Sequence, residues 1–162
     1  MIIQTLLEPH YPSVKKIYEQ GLATGNSTFQ TSAPEWEEWN HSHVANCRLV
    51  GIENNEVTGW AALTPVSGRC VYAGVAEVSV YVDEQFRGKG FGTALLDALI
   101  RESEKNNLWT LQAGIFPENI PSIRIHKALG FREVGYREKI GKLNGVWRDT
   151  LLLERRSSNT GI

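Results

Sequence analysis

The sequence predicts an α/β domain: one mixed sheet with helices on both of its faces. Three observations lead there. Seven stretches rich in β-branched and aromatic residues read as strands. Four other segments repeat their apolar residues at helical spacing. The strands first meander and then alternate with helices, which calls for helices on both faces of a mixed sheet.

Residues 2–7 form the first strand. Val14, Ile17, Tyr18 and Leu22 then fall on one helix face, which Gly21 and Gly25 end. A polar loop over 25–32 has Phe29 at its centre. Ser32-Ala33-Pro34-Glu35 fits a capping box with proline in the first turn, so a helix bearing Trp36, Trp39 and Val44 is expected to start there. Residues 48–53 and 56–66 make a hairpin about Asn54-Asn55. After the Ser67-Gly68 turn, 70–82 reads as one long strand segment. A helix follows over about 90–105, with Leu95, Leu96 and Leu99 on one side. Residues 109–116 are strand. Asn119 caps a short helix with Pro121 in its first turn, and Gly130 closes it. The strands 131–138 and 146–154 enclose a loop over 141–145.

A chain of 162 residues suits a single domain, read as 1–155, with a polar tail at 156–162 expected to fray. The formal net charge is −1, so nothing favours nucleic acid or an anionic membrane as partner. No apolar run approaches the ~20 residues of a membrane span. The N-terminus lacks a basic region and a cleavage site, so the cytoplasm is the expected compartment. Cys47 and Cys70 form no metal-binding spacing, so no metal is expected and both are read as buried or half-buried thiols.

The most informative segment is Gln85-Phe86-Arg87-Gly88-Lys89-Gly90-Phe91-Gly92, between a strand and a helix. Alternate glycines let the backbone approach a ligand closely. A helix N-terminus offers free N–H groups and partial positive charge, which suits a pyrophosphate. Arg87 and Lys89 add charge. The spacing is neither that of a dinucleotide fingerprint nor that of a P-loop, whose lysine precedes Ser or Thr. On the loop alone, a flexible turn with solvated charges remains open.

Gln85-x-x-Gly88-x-Gly90, taken with Asn119, Ser122 and Leu129-Gly130-Phe131, resembles the coenzyme A signature of GNAT-type N-acetyltransferases. Residues 75–82 (VAEVSVYV), Thr28-Phe29-Gln30-Thr31 with Trp39, and Trp147-x-Asp149 are similar to the phosphinothricin and methionine sulfoximine acetyltransferases of that superfamily. The resemblance extends over most of 1–155. It implies a mostly antiparallel sheet of about seven strands, splayed in the middle between 75–82 and 109–116. It also implies acetyl-CoA as co-substrate. The backbone of Val80, Tyr81 and Val82 is expected to hold the pantetheine arm. The N–H groups of Arg87, Gly88, Lys89, Gly90, Phe91, Gly92 and Thr93 are expected to hold the pyrophosphate, with Asn119 and Ser122 on the other wall.

An amine that attacks a thioester must first lose a proton, so a general base is needed. Glu77 is the candidate, a lone acid in an apolar strand whose burial would raise its pKa. On the residues alone it reads equally as a solvent-facing strand carboxylate. His126 stands where many relatives in the wider superfamily have tyrosine, and the phosphinothricin subgroup also has histidine there. It is a candidate acid toward the leaving thiolate, or a packing residue. By resemblance Arg69 anchors a carboxylate or phosphinate with Tyr72 beside it, Phe29 walls the pocket, and Trp147, with Lys142 and Asn144, reaches into the partner's pocket of a homodimer. Thr150 departs from the aliphatic residue frequent in relatives. The expected activity is acetyl transfer from acetyl-CoA to the primary amine of methionine sulfoximine, phosphinothricin or a similar amino acid. A peptide N-terminal acetyltransferase and an acyl-CoA-binding module without turnover are the other readings.

Overall fold

The computed structural model describes all of residues 1–162. In chain order the elements are β1 (Ile2–Thr5), α1 (Tyr11–Ala23), α2 (Trp36–Ser42), β2 (Arg48–Glu53), β3 (Glu56–Pro65), β4 (Val75–Val82), α3 (Phe91–Lys105), β5 (Thr110–Ile115), α4 (Ile120–Ala128), β6 (Arg132–Leu143) and β7 (Val146–Arg156). The strands form one seven-stranded sheet in the order β1-β2-β3-β4-β5-β7-β6. Every neighbouring pair is antiparallel except β4 and β5. The element order and the mostly antiparallel sheet are those the sequence predicts.

Side-chain alternation sends one sheet face to each helix layer. Ala61 and Leu63 of β3, Ala76 and Val78 of β4, and Leu111, Ala113 and Leu153 meet Leu95, Leu96 and Leu99 of α3 in the larger core. Trp60 and Ala62 of β3 point the other way, to Val14 and Ile17 of α1 and Trp39 of α2. The centre of β3 is therefore buried on both faces, which explains its unbroken apolar run.

Several boundaries differ from expectation. Helix α2 starts at Trp36, not near Ser32, and no side chain caps it. The Pro34 carbonyl accepts from the Tyr11 hydroxyl at 2.6 Å, and Trp36 and Trp39 pack on the Tyr11 ring, so tertiary contacts override the local capping pattern. Residues 70–72 form a 3₁₀ turn, and β4 begins at Val75. The break lies at Gly74, whose carbonyl accepts from the N–H groups of Trp109 and Thr110. Strand β6 runs on to Leu143, which shrinks the 141–145 loop to Asn144-Gly145, both at positive φ. Asp149 makes that extension possible: it accepts from the Lys139 N–H at 2.6 Å and from the Tyr136 hydroxyl, and so holds the bulge between Arg137 and Gly141.

The tail expected to fray is tied down. The Ser157 N–H donates to the Trp109 carbonyl at 2.8 Å, the Ser157 hydroxyl and the Asn159 amide donate to Glu104, and Arg156 donates to the Thr160 carbonyl. Cys47 is buried as expected, whereas Cys70 is exposed on the 3₁₀ turn. No helix is long and apolar enough to cross a membrane.

Candidate active site

Strands β4 and β5 pair only from Val75↔Thr110 to Glu77↔Gln112. Beyond Glu77 they part, and a cleft of about 1220 Å³ opens through the sheet. The parting leaves main-chain groups without a sheet partner. The Asp83 N–H donates to Thr58 on β3, while the Gly74 carbonyl faces β5. Because successive residues turn their main-chain groups to opposite edges, Val78, Val80 and Val82 direct theirs into the cleft. Tyr81 has the other register, and its carbonyl lies against Gly59 of β3. Of the three residues expected to face a pantetheine arm with their backbone, Val80 and Val82 turn their main-chain groups to the cleft, whereas Tyr81 turns its own to β3 and offers the cleft its side chain. Its ring stacks on Trp60 with centroids 5.0 Å apart. Gly21 leaves room for that ring, since a Cβ there would meet it at 2.6 Å.

The mouth on one side is the glycine loop. Gly90 caps α3 at φ 81°, a left-handed conformation that glycine adopts without a Cβ clash. The N–H groups of residues 88–93 donate to no group within the chain, and the first α3 bond runs from Ala94 to Gly90. Together they form a cradle of free donors at a helix N-terminus, suited to a pyrophosphate. Arg87, Gly88, Gly90, Phe91, Gly92 and Thr93 all line the cleft. Lys89 does not. Its ammonium sits over the Phe86 ring at 5.4 Å. The free donors here and the unpaired edge of β4 together fit a long, anionic, amide-bearing ligand such as coenzyme A.

Glu77 occupies the fork itself. It shares a face with Ser79 and Tyr81, the face that α1 and α2 cover. Gly114 of β5 lies beside it, where a Cβ would come within 3.6 Å of Glu77 Oε1. Burial pushes the Glu77 carboxyl above its ordinary pKa, while the Gly114 main chain and the Arg137 charge pull it partway back. Beyond Glu77 this side of the cleft is floored by the rings of Tyr18, Trp39, His43, Trp60 and Tyr81. Trp39 serves two ends. It is a helix packing residue, at 2% exposure, and it also borders the cleft.

Helix α4 forms the opposite wall. The Asn119 side chain caps it by accepting from the Ser122 N–H, and its amide donates to the Asn26 carbonyl at 3.2 Å. Asn119 and Ser122 line the cleft as expected. His126 lines it too, although it is buried at 4% exposure. Its Nδ1 lies 2.7 Å from the Ser122 carbonyl, which can only accept, so Nδ1 carries the proton. Nε2 is enclosed without a partner, and burial lowers the imidazole's pKa. Burial thus favours the neutral ring, against the pull of the Ser122 hydrogen bond, and in that form its single N–H is committed to the main chain. That geometry favours the packing reading of His126, on which Phe131 stands edge-on at 5.0 Å.

The four expected substrate contacts lie outside the cleft of the single chain. Phe29 packs edge-on against Phe116 at 5.0 Å and over Gly141, where a Cβ would meet it at 3.1 Å. Arg69 is exposed, with its guanidinium 5.8 Å from the Tyr72 ring. Trp147 is 54% exposed, with the Lys142 ammonium 4.9 Å above it. Arg148, inside the Trp147-x-Asp149 motif, was missed. Its position among the even-numbered residues of β7, which face away from the α3 core, was the available signal.

Residues 11–131 match the acetyltransferase (GNAT) family. YwnH of Bacillus subtilis, whose name assigns it provisionally to phosphinothricin acetylation, is 34% identical over 151 residues, covering 90% of this chain and 93% of that one. The L-methionine sulfoximine/L-methionine sulfone acetyltransferase of Salmonella typhimurium is 35% identical over 106 residues, 65% of this chain and 62% of that one. The structure of yncA from Salmonella typhimurium, solved with its cofactor acetyl-CoA, superposes with a TM-score of 0.87 at 26% identity, covering 96% of this chain and 93% of that one. With its splayed sheet, its cradle of free amides and this family match, the chain belongs to the GNAT acetyltransferases and is an acetyl-CoA-dependent N-acetyltransferase.

Proposed function

We propose that the chain acetylates the primary amine of a small amino-acid-like substrate of the methionine sulfoximine or phosphinothricin class, with Glu77 as general base. The observation that carries this reading is the half-buried carboxylate at the fork of β4 and β5, beside a cleft edged by unpaired main-chain amides. Bound acetyl-CoA supplies the thioester carbonyl. The ammonium of the substrate gives its proton to Glu77, directly or through a water. The freed nitrogen lone pair then forms the C–N bond, the C–S bond breaks, and the electron pair leaves on sulfur. The Val80 N–H faces the cleft and serves the negative charge that develops on the carbonyl oxygen. His126 has no proton on Nε2 to give. A free thiol has a pKa near ~8.5, so the thiolate leaves without a strong acid and takes a proton from the reacting amine or solvent. Val80, Val82 and the amides of 88–93 hold the coenzyme, and Arg87 and Lys89 add charge at its mouth.

We place Arg69, Tyr72, Phe29 and Trp147 in the acceptor site only as part of a homodimer. Tyr136, Ile140, Val146 and Trp147 leave an exposed apolar strip on β6 and β7, which supports a second copy as the occupant. In such a dimer the 142–147 hairpin of one chain borders the cleft of the other.

The test is thiol release from acetyl-CoA with methionine sulfoximine, phosphinothricin, common amino acids, polyamines and short peptides, beside light scattering for the oligomer. Fast turnover of the sulfoximine-type compounds by a dimer is expected. Preference for a peptide N-terminus, or coenzyme binding with no turnover of any amine, overturns the reading.

A further inference from the structure

Residues 24–35, between α1 and α2, form much of the cleft wall on the acceptor side. Thr24, Asn26, Ser27, Thr28, Gln30 and Ser32 all line it. Yet residues 26–35 donate no main-chain hydrogen bond to another main-chain group. A segment held this weakly takes its position from side chains of other elements. At its cleft-lining end the Ser27 hydroxyl donates to the Gly21 carbonyl at 2.9 Å, and the bonds that reach it from outside its own neighbourhood come from Asn119 and from one arginine on a distant strand.

Arg148 of β7 donates from Nη1 to the Gly25 carbonyl at 2.7 Å and from Nη2 to Asn26 Oδ1 at 2.9 Å. Nη2 also reaches Glu118 Oε2 at 3.3 Å. The guanidinium lies 4.1 Å from the Phe116 ring centroid, and Phe29 of the same loop stands edge-on to that ring. The Asn119 amide, next to Glu118, returns to the Asn26 carbonyl at 3.2 Å. The contacts close a ring: Arg148, Asn26, Asn119, Glu118 and back to Arg148. Asn26 belongs to the acceptor wall. Asn119 caps α4, the coenzyme wall. Only 16% of the Arg148 side chain is exposed, and its planar fork spans three acceptors from two separated nitrogens, a reach that a lysine's compact ammonium does not reproduce.

We infer that Arg148 is a positioning residue that couples the two walls, so that acetyl-CoA bound along α4 fixes the 24–35 loop and raises affinity for the acceptor amine. This rests on the acetyl-transfer reading above. Coupling between two ligands is reciprocal, so the amine tightens coenzyme binding by the same factor. Arg148 touches neither reacting atom, so kcat at saturation is not its province.

Hydrogen exchange and steady-state kinetics test this on the full chain. In the parent protein, acetyl-CoA should slow amide exchange across 24–35, with no amine present. Arg148→Lys and Arg148→Ala should lose that protection and raise the KM for the amine about tenfold. Their kcat and their affinity for acetyl-CoA should stay within about twofold. If Arg148→Ala folds poorly, Glu118→Gln cuts the same ring from its other side and should give the same split in smaller measure. An unchanged amine KM, or an equal loss in coenzyme affinity and kcat, overturns the coupling, as does a parent protein whose loop acetyl-CoA leaves unprotected. If no amine is acetylated but coenzyme protects the loop through Arg148, the substrate reading fails and the coupling stands.

Discussion

Glu77→Gln is the substitution that bears most directly on the chemistry. The amide has nearly the shape of the carboxylate and keeps the contact beside Gly114, but it accepts no proton. Positioned general-base catalysis contributes about 10²–10⁴-fold, so kcat/KM at pH 7 should fall by that order. The deficit should shrink as pH rises, because at high pH the amine arrives already deprotonated and needs no base. Stability gives a second readout with its own sign. The folded carboxyl is raised, so it holds its proton more tightly than in the unfolded chain. Its contribution to stability is full below the unfolded carboxylate's range and is lost as pH climbs through the folded value. Glutamine is neutral throughout. The variant should therefore melt higher than the parent once the pH has climbed through the folded carboxyl's range, and no higher well below the unfolded carboxylate's range. Thiol release across pH, calorimetric acetyl-CoA binding and paired melting curves make the set. A pH-independent loss of less than about threefold would refute the base assignment, because base catalysis is worth far more. So would a loss matched by coenzyme affinity.

Arg137→Ala removes the positive charge that holds Glu77 down, so the carboxyl rises further and the ascending limb of the rate profile moves to higher pH; an unmoved limb places Arg137 elsewhere in solution. Gly90→Ala forces a Cβ into a left-handed cap and should cost about 1–2 kcal/mol of stability while weakening acetyl-CoA in calorimetry. Gly74→Ala sets a methyl 2.1 Å from the Trp109 ring and should destabilise the chain by about 1–3 kcal/mol in urea melts, since the ring is held between β4 and the tail.

Element order was readable because periodicity survives tertiary context. The α3 face of Leu95, Leu96 and Leu99 and the Asn119 cap with Pro121 behind it are local signals, and both stand where expected. What failed was where a distant group intervened. Ser32 carries a sound capping pattern, but Tyr11, twenty-one positions earlier, takes the Pro34 carbonyl and the helix starts later. Residues 70–82 have strand composition throughout, yet Trp109 claims Gly74 and divides them. The tail is polar enough to fray, but Glu104 gathers Arg155, Ser157 and Asn159. The same limit governs the site. Glycine spacing revealed the coenzyme cradle, whereas no local pattern reveals that Arg148 reaches across more than a hundred residues to Gly25.

The break in the β4–β5 ladder links these features physically. A parallel pair that stops at Glu77 leaves the cleft-facing main-chain groups of Val78, Val80 and Val82 without partners within the chain. An amide-bearing ligand laid along β4 would satisfy those groups, so the edge that the chain leaves unfinished suits a coenzyme arm. The same parting puts Glu77 at the apex, close enough to Gly114 to lose water and still open to the acceptor side. Closing the ladder by two more residues would pair the Val78 and Val80 edges and bury Glu77 beneath them. The cleft and the placement of Glu77 are thus consequences of one structural choice, and a variant that zips β4 to β5 should lose coenzyme binding and turnover together.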